Sequence, residues 1–221
     1  MIENLGKMKI DEFIKKFVCC YEIESNRYSC LMLALKDARK LTARNIETGK
    51  WDGSILENEN SFLNPYAFIG IINYLLILDM IGEIFTVKNK QSKIYRALDK
   101  YGSLKEEKDK QTIVALRNSL AHNYALVNIP DSSKNYLMQR HRFELINSEN
   151  FSLIEYPIKP WNGDFFDLHD DSFTKIGLGQ LIELIEGVYH SLTMEIELNP
   201  FNIVGLNGGV EELKARFTIR T

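Results

Sequence analysis

The sequence predicts a mainly α-helical protein, an antiparallel helical bundle carrying a small β-hairpin insertion. Three observations carry that expectation. Apolar residues recur at helical spacing over several long segments. Those segments are punctuated by start and stop signals such as Asn64-Pro65, Ser92 and Gly102. Around Asn147-Ser148-Glu149-Asn150 the helical period gives way to apolar–polar alternation.

Taken in order, the first helix is expected to start at Asp11, a good N-cap, with Phe13, Ile14, Phe17, Val18 and Tyr21 on one face. Ser25 or Asn26 offers a break or a second cap. A long helix then carries Leu31, Ala34, Leu35, Ala38 and Leu41 to about Thr48, with Gly49 as its stop. Trp51 to Asn60 is polar and reads as a loop. Asn64 caps, and Pro65 opens, a helix that is apolar nearly all round through Leu78, which implies burial between other helices. A shorter helix spans Ser92 to Tyr101 and ends at Gly102; the next runs from about Lys105 to Leu126, closed by Pro130. Phe143 and Leu145, then Phe151 and Leu153, alternate with polar residues and place the hairpin at about 136–158. Ser172 caps a last long helix with Leu178, Leu181, Ile182, Ile185, Val188 and Leu192 on one stripe, stopped by Asn199-Pro200. The expected organisation is a bundle over residues 1–200 and a tail over 201–221 with one short helix near Val210 to Arg216.

A chain of 221 residues can build a core without disulfides or a structural metal. A net charge of −3 argues against a general nucleic-acid coating protein and leaves a local basic groove open. Cys19, Cys20 and Cys30 form no CxxC pair and are read as reduced, partly buried thiols of a cytoplasmic protein. Met1 to Asp11 has no apolar core of the signal-peptide kind. Phe62 to Phe85 is rich in Ile and Leu, but Pro65, Asn73, Asp79 and Glu83 interrupt it, so a core helix is expected rather than a membrane span.

Chemistry concentrates between Arg117 and Tyr124. On a helix at about 100° per residue, Ile113, Leu116, Leu120, Ala121, Tyr124 and Val127 form an apolar face. Arg117 falls in its middle, on the same side as Tyr124, while Asn118 and His122 share the flank. A guanidinium is rarely buried unless it is paired or placed in a cleft or interface. One explanation is structural: Arg117 pairs with a carboxylate of the apolar helix, Asp79 first, and ties two helices together. His122 is then a polar residue near a helix end, favourable to the dipole when charged.

Arg117-Asn118-Ser119-Leu120-Ala121-His122 resembles the RX4-6H signature of the HEPN superfamily, with the polar residue after arginine that the family usually has. Tyr124 extends the resemblance to RX4HXY, the form found in HEPN toxins paired with a nucleotidyltransferase antitoxin. The chain is long for a minimal HEPN toxin, and the hairpin is an addition to it. The resemblance implies metal-independent RNA cleavage, without a cofactor, in which a ribose 2′-hydroxyl attacks the adjacent phosphate. It implies His122 as the proton-moving group, Arg117 as the cation against developing phosphate charge, and Asn118 as the group orienting either. It further implies a homodimer with both motifs at a shared cleft, a toxin or phage-defence role, and Tyr124 as a regulatory site for modification with AMP. A non-catalytic HEPN-like module binding a partner protein or a nucleotide is the rival expectation.

Other candidates rank lower. Lys36, Arg39, Lys40 and Arg44 suggest a basic helix side able to contact RNA phosphates, with a solvated face as the plainer expectation. Arg140-His141-Arg142 is expected to face solvent. His169-Asp170-Asp171 lacks a second cluster at metal-ligand spacing, and His190 is expected at the surface or its boundary. The sequence contains no P-loop, GxGxxG, GxSxG or HExxH pattern.

Overall fold

In the computed structural model the chain runs α1 (Ile2–Cys19), β1 (Glu22–Glu24), β2 (Arg27–Ser29), α2 (Cys30–Leu41), α3 (Pro65–Ile84), α4 (Lys93–Tyr101) and α5 (Glu107–Asn123). It continues with β3 (Val127–Asn128), β4 (His141–Ile146), β5 (Ile154–Glu155), β6 (Thr174–Gly177), α6 (Leu178–Leu198), α7 (Gly209–Phe217) and β7 (Thr218–Arg220). The structure describes residues 2–51, 65–130, 140–148, 150–166, 169–199 and 203–221. Helices form the majority, with two small sheets beside them.

Helix α3 is the hub, packed against α2, α4, α5 and α6. Its sequence explains why: Tyr74, Leu75, Ile77, Leu78, Ile81 and Ile84 are fully buried and point to several sides of the helix. Each large apolar side chain withdrawn from water contributes about 1.5–3 kcal/mol. The helix begins at Pro65, where the sequence places its start; Asn64 and the loop residues 52–60 lie outside the described residues. Among the described residues no helix is long and apolar enough to cross a membrane.

Gly82, one turn from the end of α3, sets how closely α4 approaches. A Cβ at this position would stand 1.9 Å from the Lys93 carbonyl oxygen. Alanine gains about 1 kcal/mol over glycine in a helix interior. Overpacking typically costs about 1–3 kcal/mol, and more when backbone must move. The clash therefore wins, and Gly82→Ala is expected to lose about 2 kcal/mol net, read as a lowered midpoint in urea unfolding.

Several boundaries differ from the sequence expectation. Helix α1 begins well before Asp11, so Asp11 lies within it rather than at its cap. The break at residues 25–26 is a β-hairpin turn, with Asn26 in the left-handed region at φ 60°. Helix α2 is capped by Ser29, whose Oγ accepts from the Met32 amide at 3.2 Å, and it ends at Leu41 instead of about Thr48. Buried guanidinium groups take the carbonyls of the following turn. Arg39 Nη1 donates to Ile46 and Glu47, and Arg44 Nη1 to Gly49. Arg39 forks onto Glu186 of α6 at 2.9 and 2.7 Å, and Arg44 reaches Glu183 at 2.7 Å. The expected basic surface is thus not a surface at Arg39 or Arg44: both are buried structural ties.

Of the expected hairpin at 136–158, residues 136–139 and 149 lie outside the described residues; the described part belongs to a mixed four-stranded sheet of order β3-β4-β6-β5. Strand β6 separates the two strands that were expected to pair. It runs parallel to β4, with Phe143 opposite Thr174, and antiparallel to β5, with Ile154 opposite Ile176. Residues 174–177 belong to this strand because Thr174 and Ile176 are buried on its inner side. Helix α6 accordingly starts at Leu178, with Gly177 rather than Ser172 as its cap, and ends at Leu198. Beyond it, α7 buries Leu213, and β7 pairs antiparallel with β2.

His141 was expected to face solvent and is buried instead. Its Nδ1 lies 3.0 Å from Thr174 Oγ1, and its ring stacks on Phe143 at 5.0 Å. Burial, helped by the nearby Lys108 charge, pushes its pKa from 6.5 down to about 4. Above pH 6.5 neither the folded nor the unfolded state protonates this ring, and its contribution to stability is complete. As pH falls through 6.5 toward 4 only the unfolded state gains the proton, so stability declines and then levels off below 4. The expected loss is on the order of 3 kcal/mol. Urea unfolding of wild type and His141→Leu at about pH 7 and about pH 4.5, the second most of the way through the window, checks it as a difference in pH response.

Candidate functional site

Helix α5 starts with Glu107 and Asp109 in its first turn, where acidic groups favour the helix dipole. Ile113, Leu116 and Leu120 are fully buried and fix its inner face. Arg117, one residue from Leu116, is held at the edge of that face and only partly buried. The helix ends at Tyr124, which adopts φ 47° and ψ 38° while its amide bonds back to the Leu120 carbonyl.

The Arg117 guanidinium organises the site. Its Nη2 is in contact with Asp79 Oδ2 of α3, its Nη1 lies 2.6 Å from His122 Nε2, and the same Nη1 donates to Asn118 Oδ1 at 3.3 Å. Arginine only donates, so Nε2 is the acceptor and the His122 ring proton sits on Nδ1. Nε2 has one in-plane lone pair and Arg117 engages it here, so it can take a proton from a hydroxyl only once the guanidinium turns to another acceptor.

Asp79 and Arg117 are each about one-fifth exposed at the side chain. Burial pushes the Asp79 carboxyl above its usual range and outweighs the lowering by Arg117, Lys93 and His122. Their contact is a close ion pair rather than a well-directed hydrogen bond. Among the described residues neither Asp79 Oδ2 nor Arg117 Nε has a hydrogen-bond partner. Asp79 thereby ties Arg117 to the hub helix while leaving its donors incompletely used.

Asp79, Arg117, Asn118 and His122 open onto one cleft of about 350 Å³. The start of α4 adds Ser92, Lys93 and the buried Ile94, and Val114 of α5 completes the lining. His122 is exposed. Four of the five residues singled out by sequence are therefore together. Tyr124 is not among the lining residues. The helix ends before it, so it leaves the face it was expected to share with Arg117; it is exposed and its ring lies against Phe68 at 6.3 Å. Ser92 was legible as a helix cap but not as part of a site, and nothing in the local sequence marks Lys93.

The remaining candidates lie elsewhere. Lys36 pairs with Glu47 at 3.1 Å and stands over the Tyr21 ring. Arg140 donates to the Asn162 carbonyl, and the Arg142 guanidinium covers the Phe173 ring at 4.0 Å. His169 precedes a single 3-10 turn, Asp170–Ser172, and His190 is exposed on α6. Cys19 and Cys20 are exposed and Cys30 is half-buried, all three as free thiols. Among the described residues no three His, Cys, Asp or Glu side chains are grouped so as to hold a metal ion. Comparison of the chain with protein-family models, with curated proteins and with solved structures finds no match.

Proposed function

We propose that the chain is a metal-independent endoribonuclease of the HEPN type, with a HEPN-like helical bundle, acting in the cytoplasm as a toxin or phage-defence protein. The observation that carries this is the 2.6 Å contact of Arg117 Nη1 with His122 Nε2 on the wall of an open cleft. As Arg117 turns from His122 to the phosphate, the freed Nε2 lone pair takes the proton of a ribose 2′-hydroxyl, whose oxygen bonds to phosphorus. The bond from phosphorus to the 5′-oxygen breaks, and that oxygen takes a proton from water to give a 5′-hydroxyl beside a 2′,3′-cyclic phosphate. Arg117 faces the charge that develops on the phosphate, a role suited to its forked, permanently charged donors. Asn118 Oδ1 holds the guanidinium, and Asp79 positions it from α3. A homodimer placing two such clefts together, and a nucleotidyltransferase antitoxin acting on the exposed Tyr124, complete the proposal.

Incubating purified protein with total RNA in EDTA, followed by analysis of product ends, tests it. The expected products carry cyclic phosphate and 5′-hydroxyl ends; intact RNA sinks the proposal. A second reading, a non-catalytic helical module binding a partner protein or nucleotide, is favoured by one observation, the Arg117–Asp79 ion pair. It gives Arg117 a structural duty and His122 none.

A further inference from the structure

We infer that Lys93 and Ser92, at the start of α4, hold a phosphate of the RNA strand that Arg117 and His122 act on; this rests on the ribonuclease reading above. Around the Arg117–His122 pair the cleft is lined by further donors, Ser92 and Lys93 from α4 and Asn118 from α5. Ser92 Oγ accepts from the Tyr95 amide at 3.2 Å, which leaves its hydroxyl proton free to donate. Asn118 Oδ1 is occupied by Arg117, which leaves its amide NH2 for a ligand. Lys93 is half-exposed, and its Nζ lies 3.3 Å from Glu83 Oε2. Glu83 also receives Arg216 at 2.9 Å and Lys88 at 3.9 Å, and Arg216 pairs with Glu212 as well, so three cations meet two carboxylates and one positive charge is left over.

Asp79 is the one carboxylate lining the cleft among the described residues, and Arg117 already engages it. A cleft with several unspent donors, two permanent cations and one engaged acid is complementary to an anion carrying several acceptor oxygens. Ile94 and Val114, both buried, give the cleft an apolar lining that strengthens those contacts. A phosphodiester is such an anion, and the RNA chain that brings one phosphate to Arg117 brings its neighbours within reach.

Binding is measured on the His122→Ala protein, so that cleavage does not intrude, by fluorescence anisotropy of a labelled single-stranded oligoribonucleotide over a salt series. Each phosphate contact on a single strand contributes about 0.7 to the slope of log affinity against log salt. Adding Lys93→Met is expected to weaken binding about tenfold at low salt and to flatten the slope by about 0.7. Lys93→Arg should restore the slope, and Lys88→Met, on the same carboxylate but outside the cleft, should leave it unchanged. An unchanged slope with Lys93→Met, in a protein that melts normally, overturns the inference while leaving the ribonuclease reading intact. Wild-type protein that fails to cleave RNA overturns the ribonuclease reading alone if the slope still responds to Lys93. RNA that does not bind at all overturns the inference too.

Discussion

Replacing His122 with alanine is expected to lower RNA cleavage about 10²–10⁴-fold, the range typical for loss of a positioned proton-transfer group. On the ribonuclease reading Arg117→Ala is expected to match it, because the guanidinium that rests 2.6 Å from His122 Nε2 is the cation that meets the developing phosphate charge. Since the two act as a unit, the double variant should lose little more than either single one. His122 is exposed, so its variant should unfold like wild type and its loss of activity cannot be traced to folding. Arg117 differs, because truncation leaves the Asp79 carboxylate partly buried and without its cation. Rates measured beside thermal unfolding separate the two roles. An active His122→Ala protein together with a strongly destabilised Arg117→Ala protein would show that the pair is a structural tie.

The largest stability effect is expected from the ion pair between α2 and α6. Arg39 forks onto Glu186, which also accepts from the Tyr74 hydroxyl at 2.7 Å, and Arg39 sits beneath the Tyr189 ring. The side chains are only 5% and 13% exposed, so solvent screens them little. Burial opposes the charge on Arg39, but Glu186 more than compensates and holds its pKa above the ordinary value. Removing one partner strands the other charge in the interior. Arg39→Met and Glu186→Gln are each expected to cost about 3–5 kcal/mol. The stranded charge disappears in the double variant, which should be more stable than the sum of the single losses predicts. Urea unfolding of all four proteins reads that coupling directly. Additive losses would mean that the pair contributes nothing specific.

Local signals made much of the helical scaffold legible. Pro65 starts α3, Ser92 and Gly102 bracket α4, and Asn199 ends α6, because caps and turn residues act on the backbone beside them. The apolar circumference of α3 likewise announced a buried hub. Errors arose where a distant partner outweighed local preference. Residues 42–48 leave the helix because buried guanidinium groups claim the carbonyls of the following turn. Residues 174–177 pair as a strand because β4 and β5 offer two open edges.

The same division runs through the candidate site. Spacing alone put Asn118 and His122 on one flank of α5 with Arg117 beside them, whereas Asp79 is proposed as the arginine's partner because it is a carboxylate in the apolar helix. Helical periodicity is a local property and needs no knowledge of neighbours. The tertiary structure decided the rest: that Arg117 reaches both Asp79 and His122, that Tyr124 turns out of the helix, and that Gly82 lets Lys93 and Ser92 join the cleft. Those features depend on how three helices pack, and packing brings together residues whose separation along the chain carries no signal.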